Sequence, residues 1–386
     1  MAKLSVQRLH LADQRVLARV DYNVPLNGDA VGDDSRLLAT LPTLRYMREH
    51  RARVVLCAHL GRPQGRPDPR YSLRPVAERL SRLTGHNVGF CPDAVGTRAS
   101  EMASRLEAGG LLLLENLRFY PGEEANDASF ARQLAELGEA YVDDAFGVAH
   151  RAHASTVGVA QCFPQAAAAG LLMERELEFL ERVRSAREHP FLLLLGGAKA
   201  SDKLPLLEHL LPKADQLLIG GGMAYTFLKA EGQAVGASLV QEDFVEAAGR
   251  LLRQARPGQI LLPSDHVLET GAVVEEIPAG GKALDIGPAT RARFADAIRC
   301  ARLLFWNGPM GVFERPPLDA GTVAVARAVA ACPGVTVAGG GDSIAALRAA
   351  GLSEEVSHIS TGGGAALEFL AGDTLPGIAA LTEVPA

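Results

Sequence analysis

The feature that most restricts the fold is a recurring unit: a short apolar run that stops at a polar or glycine-rich edge, followed by a longer stretch. In the first half the runs cover residues 16–20, 53–58, 111–114 and 140–142. They stop at Asp21-Tyr22-Asn23, His59, Glu115-Asn116 and Asp143-Asp144. In the second half they cover 191–195, 216–219, 260–262, 303–305, 335–337 and 358–359. Each again leads into glycines or polar residues, among them Gly196-Gly197-Ala198-Lys199, Gly220-Gly221-Gly222, Trp306-Asn307-Gly308, Gly339-Gly340-Gly341-Asp342 and Gly362-Gly363-Gly364. Between runs, stretches such as 73–83 and 129–137 have helical spacing. Continuous apolar strands alternating with helices indicate parallel sheets covered on both faces. Ligands of such sheets bind beyond the carboxyl ends of the strands, where this chain keeps nearly all its unusual residues.

A length of 386 residues suits two domains. The expected fold class is α/β: two Rossmann-like domains, each with a parallel-rich sheet flanked by helices, joined by an interdomain helix and hinge. Residues 170–187 read as that charged amphipathic helix. The expected domains are 1–170 and 171–370, with an apolar tail, 371–386, docking onto the first.

Charge narrows the ligand. Net charge is −6, which gives a nucleic-acid role no overall support. Yet residues 1–170 hold 20 Lys+Arg against 19 Asp+Glu, whereas the remaining 216 hold 19 against 26. The first half is thus the better host for an anion. No apolar run approaches the roughly 20 residues that span a bilayer, and the N-terminus lacks the apolar core of a signal peptide. A cytoplasmic protein with no membrane partner is expected. The five cysteines are scattered without metal-ligand spacing and read as reduced thiols.

Three triple-glycine clusters follow strand runs. Glycine permits positive φ and close backbone approach, and a helix start offers free N–H groups to phosphate. Tight turns are the alternative. Neither a G-x-x-x-x-G-K-[ST] loop nor a G-x-G-x-x-G fingerprint after the first strand is present, which argues against P-loop enzymes and dinucleotide dehydrogenases. Lys199 and Lys203, two of only six lysines, follow a strand at a spacing that would share one helix face and address one anion. Asp342 suits Mg²⁺ beside phosphate-binding backbone, although Asp342 or Ser343 would also serve as a helix cap. In the first half Arg36, His59, Arg62, Arg118, Arg151 and His153 lie near strand ends, with Asp21 and Asn23 adding polar contacts. A metal at His150 and His153 lacks a nearby third ligand. The implied ligand is small, polyanionic and hydroxylated.

Ordered segments along the whole chain now make it similar to the phosphoglycerate kinase family: RVDYNVPL, DDSRLLATLPT, HLGRP, LLLLENLRFYPGEE, DDAFGVAHRAHAST, GGAKASDK, IGGGMAYTFLKA, ALDIGP, WNGPMGVFE, GGGDS, STGGGAALEFL and LPGIAAL. The resemblance implies reversible phosphoryl transfer from 1,3-bisphosphoglycerate to ADP, with hinge closure and Mg²⁺ carried by the nucleotide. It implies a substrate site of Asp21, Tyr22, Asn23, Arg36, His59, Leu60, Gly61, Arg62, Arg118 and Arg151. It implies nucleotide contacts at Gly197, Lys203, Ala283, Asn307, Glu314, Gly340, Gly341, Asp342 and Ser343, with Asp342 towards the metal. Arg36, Lys199, Lys203, Gly340 and Gly363 would be catalytic. A monomer is expected on the same basis. Tyr22 stands where Phe is common, Ala365 where Ser is, and Ala283 where Gly often is. A non-catalytic metabolite-binding protein on the same scaffold is the alternative reading.

Overall fold

The computed structural model describes residues 2–384. The last two residues of the expected docking tail lie outside that range. The chain divides into two compact units, Met1–Leu177 with Thr374–Ala386, and Glu178–Asp373. The division falls inside the helix Leu171–Ser185, so the connecting helix contributes its first turns to one unit and the rest to the other.

The first unit is built on a six-stranded sheet in the order Val88–Cys91, Leu111–Leu114, Arg53–Cys57, Arg15–Val20, Ala140–Asp144, Ala167–Ala169. All its pairings are parallel. Leu111–Leu114 and Ala140–Asp144 are buried along their whole length, as helices on both faces require. Register brings Arg19 beside both Cys57 and Asp143, and Val20 beside Asp144. Asp21, His59 and the Asp143-Asp144 pair therefore leave the sheet at one carboxyl edge. The edge strands 88–91 and 167–169 escape a periodicity reading: one is interrupted by Gly89, the other is three alanines. Chain ends meet here. Ala2–Lys3 pairs antiparallel with Glu383–Val384, and the Thr382 N–H donates to the Ala167 carbonyl at 2.9 Å.

The second unit repeats the plan with six parallel strands ordered Ile260–Leu261, Gln216–Ile219, Phe191–Leu195, Leu303–Asn307, Val335–Gly339, His358–Ile359. Its core gathers around Trp306, Phe294, Leu194 and Leu304, all fully buried, and the Trp306 indole N–H donates to the Gly308 carbonyl at 2.8 Å. The α/β expectation holds in both units. A three-stranded antiparallel sheet, Val273–Val274, His266–Leu268 and Ala283–Ile286, was not anticipated. Its strands are two to four residues long and too short for alternation to show.

Candidate active site: an arginine-lined edge and a glycine-lined edge

At the carboxyl edge of the first sheet, cationic side chains converge on one histidine. His59 is almost wholly buried. Burial holds its imidazole well below the ordinary value, and the guanidinium groups of Arg19, Arg118, Arg151 and Arg36 press it further down. It is therefore neutral at physiological pH. Arg19 Nη2 lies 3.1 Å from His59 Nδ1. A guanidinium only donates, so Nδ1 accepts and the ring proton sits on Nε2.

Arg19 was not singled out from the sequence. It lies inside the apolar run RVLARV, where it reads as one residue of a strand. Its charge is answered from below: Arg19 Nε donates to Ser155 Oγ at 2.9 Å, and Ser155 Oγ donates to Glu123 Oε1 at 2.6 Å. Ser155 N–H adds a bond to Glu123 Oε2 at 3.0 Å. Burial raises the Glu123 carboxyl, while Arg19 and the two Ser155 donors pull it back towards the charged form. A buried carboxylate so placed holds arginines that would otherwise repel one another. His153, 3.8 Å from Glu123, is lowered to about 4, chiefly by burial and then by the surrounding arginines.

The other expected substrate residues take distinct places. Arg36, in the first turn of the helix Ser35–Glu49, is half-buried and ion-paired with Asp21. Asn23 is exposed, and its Oδ1 accepts from the Gly61 N–H at 2.9 Å. Arg118 is buried and donates from Nη1 to the Gly61 carbonyl at 2.6 Å. Leu60 is fixed through its backbone, donating to Asn116 Oδ1 at 3.2 Å and accepting from Asn116 Nδ2 at 2.7 Å. Asn116 is a positioning residue that the strand-end reading noted without a role. Arg62 is exposed on the following loop, and Arg151 is half-buried beside His150. The Tyr22 side chain is fully buried and its hydroxyl pairs with Thr40 at 2.9 Å, so that side chain serves the core.

In the second unit the three glycine clusters each lead from a strand into a helix: Gly221–Ala230, Gly341–Ala349 and Gly364–Leu370. They differ in purpose. A Cβ on Gly220 would lie 2.5 Å from Met310 Sδ, and one on Gly221 would lie 2.5 Å from the Gly197 nitrogen. That cluster is consumed by internal packing. A Cβ on Gly341, Gly363 or Gly364 would meet nothing within 4 Å, and one on Gly340 only the Asn307 side chain. Gly340 and Gly363 have φ of +86° and +52°, so their backbone conformation, not crowding, calls for glycine.

The two lysines do not share a helix face. Lys199 is exposed in a loop, whereas Lys203 is buried at the end of the 3-10 turn Ser201–Lys203. The chain leaves the strand through Gly197 at φ +89°, and that turn intervenes before regular helix begins at Leu204. Lys203 Nζ donates to the Gly196 carbonyl at 2.8 Å. Burial lowers its ammonium, and the carboxylates of Asp202 and Asp342 oppose that. Asp342 is exposed in the first turn of its helix and makes no cap bond; Gly340 is the cap residue. Ser343 is no cap either. It is buried, and its Oγ accepts from the Gly308 N–H at 2.6 Å, tying two loops together. Asn307 is buried beside Gly340, and Glu314 is exposed. Ala283 is buried with Tyr225, Leu228, Leu268 and Ile277, and its N–H donates to Ser238 Oγ at 3.0 Å. Its methyl therefore belongs to a small core, not to an open surface.

Comparison with known proteins gives a consistent result. A family model described as phosphoglycerate kinase matches residues 6–373. The phosphoglycerate kinase of Thermomicrobium roseum is 53% identical over 390 residues, covering 98% of this chain and 99% of that protein. That of Koribacter versatilis is 50% identical over 403 aligned positions, covering 99% and 100%. The solved structure of phosphoglycerate kinase from Coxiella burnetii superposes with a TM-score of 0.89 at 38% identity, covering 98% of each chain.

Proposed function

The chain belongs to the phosphoglycerate kinase family, and we propose that its two sheet edges divide the work of that reaction between them. It is an enzyme that transfers a phosphoryl group reversibly between 1,3-bisphosphoglycerate and ADP, giving 3-phosphoglycerate and ATP in glycolysis. The first unit takes the phosphoglycerate. The observation that carries this assignment is the cluster of Arg19, Arg36, Arg118 and Arg151 around a neutral His59. Arginine forks match phosphate and carboxylate oxygens, and the His59 Nε2–H adds a donor that does not titrate near neutral pH. The second unit takes the nucleotide at the open glycine ends of 340–343 and 363–364, with Gly197, Asn307, Glu314 and Lys203.

When ATP is consumed, the nucleophile is a carboxylate already ionised at neutral pH, so no general base is needed. What remains is positioning and charge neutralisation on the phosphoryl group in flight. Arg36, Lys199 and the glycine N–H groups perform it. Lys203, already bonded to Gly196, supports the loop from inside.

Mg²⁺ fits the donor set as a nucleotide-borne ion. No group of three or more His, Cys, Asp or Glu that could hold a metal occurs among the described residues, but Asp342 offers one exposed carboxylate at a helix start. One or two carboxylates with phosphate oxygens and water are what Mg²⁺ takes, and it would supply charge neutralisation on the phosphates. All five cysteines are free, which suits a reducing cytoplasm. Each proposed ligand set draws on a single chain, so a monomer suffices; sedimentation checks that.

The test is a coupled assay with 3-phosphoglycerate and Mg-ATP, in which glyceraldehyde-3-phosphate dehydrogenase consumes the product with NADH. NADH oxidation that requires every component is expected. Its absence with a folded sample and working controls would overturn the assignment.

A further inference from the structure

We propose that Asp285 is a positioning residue for the nucleotide, holding the segment that carries Glu314. The inference rests on the reading above that Glu314 contacts the nucleotide. Residues 308–319 join the strand Leu303–Asn307 to the helix Ala320–Ala330. Around Glu314 their own hydrogen bonds are local turns: Phe313 N–H to the Gly311 carbonyl at 3.0 Å, Arg315 to Val312 at 3.0 Å and Leu318 to Arg315 at 2.8 Å. Local turns shape a loop without fixing where it stands. That must come from anchors outside it.

The strand Ala283–Ile286 supplies them. The Val312 N–H donates to the Leu284 carbonyl at 2.9 Å. One residue on, Asp285 is fully buried, and its Oδ2 accepts from the Gly321 N–H at 2.7 Å and from Arg291 Nη2 at 3.1 Å. Its Oδ1 accepts from the Ile286 N–H at 2.9 Å. The segment presses on the same carboxylate from both ends. A Cβ on Gly311 would lie 2.3 Å from Oδ1, and one on Gly321 would lie 2.1 Å from it. Arg291 is fixed in turn by its Nε donating to the Ile286 carbonyl at 3.0 Å.

Burying a carboxylate costs several kcal/mol unless it is well partnered. Burial lifts this one to about 6, against the pull of Gly321 N–H and Arg291. Neither sheet pairing nor the nearby apolar cluster needs a charge here. What the charge does is bond one foot of the loop, at Gly321, while the other foot, at Gly311, packs closely against it. The same strand bears Ala283, a second residue expected near the nucleotide, so one short strand sets two candidate contacts separated by 31 positions of sequence.

Calorimetric titration of the full chain with ADP, without phosphoglycerate, tests this. Asp285→Asn keeps the shape but replaces an acceptor, and is expected to weaken ADP binding about tenfold, with KM for 3-phosphoglycerate within about twofold of the parent. Glu314→Ala should also weaken ADP, and the double variant should be no weaker than the worse single variant. Unchanged ADP affinity in Asp285→Asn beside a weakened Glu314→Ala overturns the inference and leaves the nucleotide reading standing. Additive losses also overturn it, because Asp285 would not act through Glu314. Unchanged affinity in Glu314→Ala removes the reading and the inference together. If Asp285→Asn does not fold, Arg291→Met takes its place; a severalfold loss of ADP affinity supports the inference, and none overturns it.

Discussion

The two sheet edges are built in opposite ways. The first uses side chains: four arginines gather around a buried histidine, and a buried serine and glutamate brace one of them, Arg19. The second offers backbone: Gly340 and Gly363, at positive φ, lead into helices that start where an added methyl would meet little or nothing. A side-chain cluster concentrates charge strongly, but it must be held together against its own repulsion. A backbone cradle needs no counter-charge, yet it tolerates no added atom where the chain packs on itself. Under the proposed division, a compact phosphorylated three-carbon acid suits the first solution and a longer nucleotide phosphate chain the second.

The contrast breaks most readily at Arg36. Arg36→Ala should lower turnover about 100- to 1,000-fold, the scale for removing one donor to transition-state charge, while the circular dichroism melt moves little. Near-normal turnover would deprive the arginine edge of its catalytic member.

Glycine substitutions sharpen the other side. Gly221→Ala forces a left-handed residue against backbone and should cost about 2–4 kcal/mol of stability in chemical denaturation. Gly341→Ala has open space for its methyl and should melt like the parent, yet bind ADP severalfold more weakly. Equal melting losses in the two variants would erase the distinction between packed and open clusters.

Acid should separate the edges next. His153 is lowered to about 4 in the folded chain, whereas the unfolded chain takes up its proton near the ordinary value of 6.5. Below 6.5 the unfolded state thus binds the extra proton first, and this contribution to stability falls as pH drops towards 4. His153→Gln should flatten the acid limb of the stability curve by about 1–3 kcal/mol. Identical limbs for the two proteins would mean that burial and the surrounding arginines do not hold the His153 imidazole down as the geometry indicates.

Salt gives the smallest effect. Raising ionic strength from about 0.05 to 0.5 M should increase KM for 3-phosphoglycerate a few-fold more than it weakens ADP binding measured without added Mg²⁺, because the arginine edge carries more formal charge. The reverse order would contradict the division into charged and backbone edges.

The sequence made the main strands legible because their apolar runs are continuous and each stops at a chemical edge. It hid what is short or mixed. Residues 167–169 are alanines without pattern, and the strands at 266–286 span too few positions for alternation. Among candidate residues, His59 and Arg118 stood out because they follow strand ends, and Arg36 because it lies in the stretch after one. Arg19 did not, since a charge within an apolar strand is recognisable only once Ser155 and Glu123 are seen below it. The spacing of Lys199 and Lys203 suggested one helix face, but Lys199 lies in a loop and Lys203 ends a 3-10 turn. Tyr22 and Ser343 lie within the matching motifs, yet each spends its hydroxyl inside the fold. Motif position says which segments matter, and only geometry says which atoms are free.

The strand pair between residues 2–3 and 383–384 makes the two units unequal in how they depend on chain continuity. The second unit is one uninterrupted stretch, Glu178–Asp373, whereas the first is assembled from two stretches that lie on either side of it in sequence. A single backbone cut next to residue 373 would therefore leave every strand of the second unit on one fragment, while it would leave the first unit's closing strand held to its partner by hydrogen bonds and packing alone.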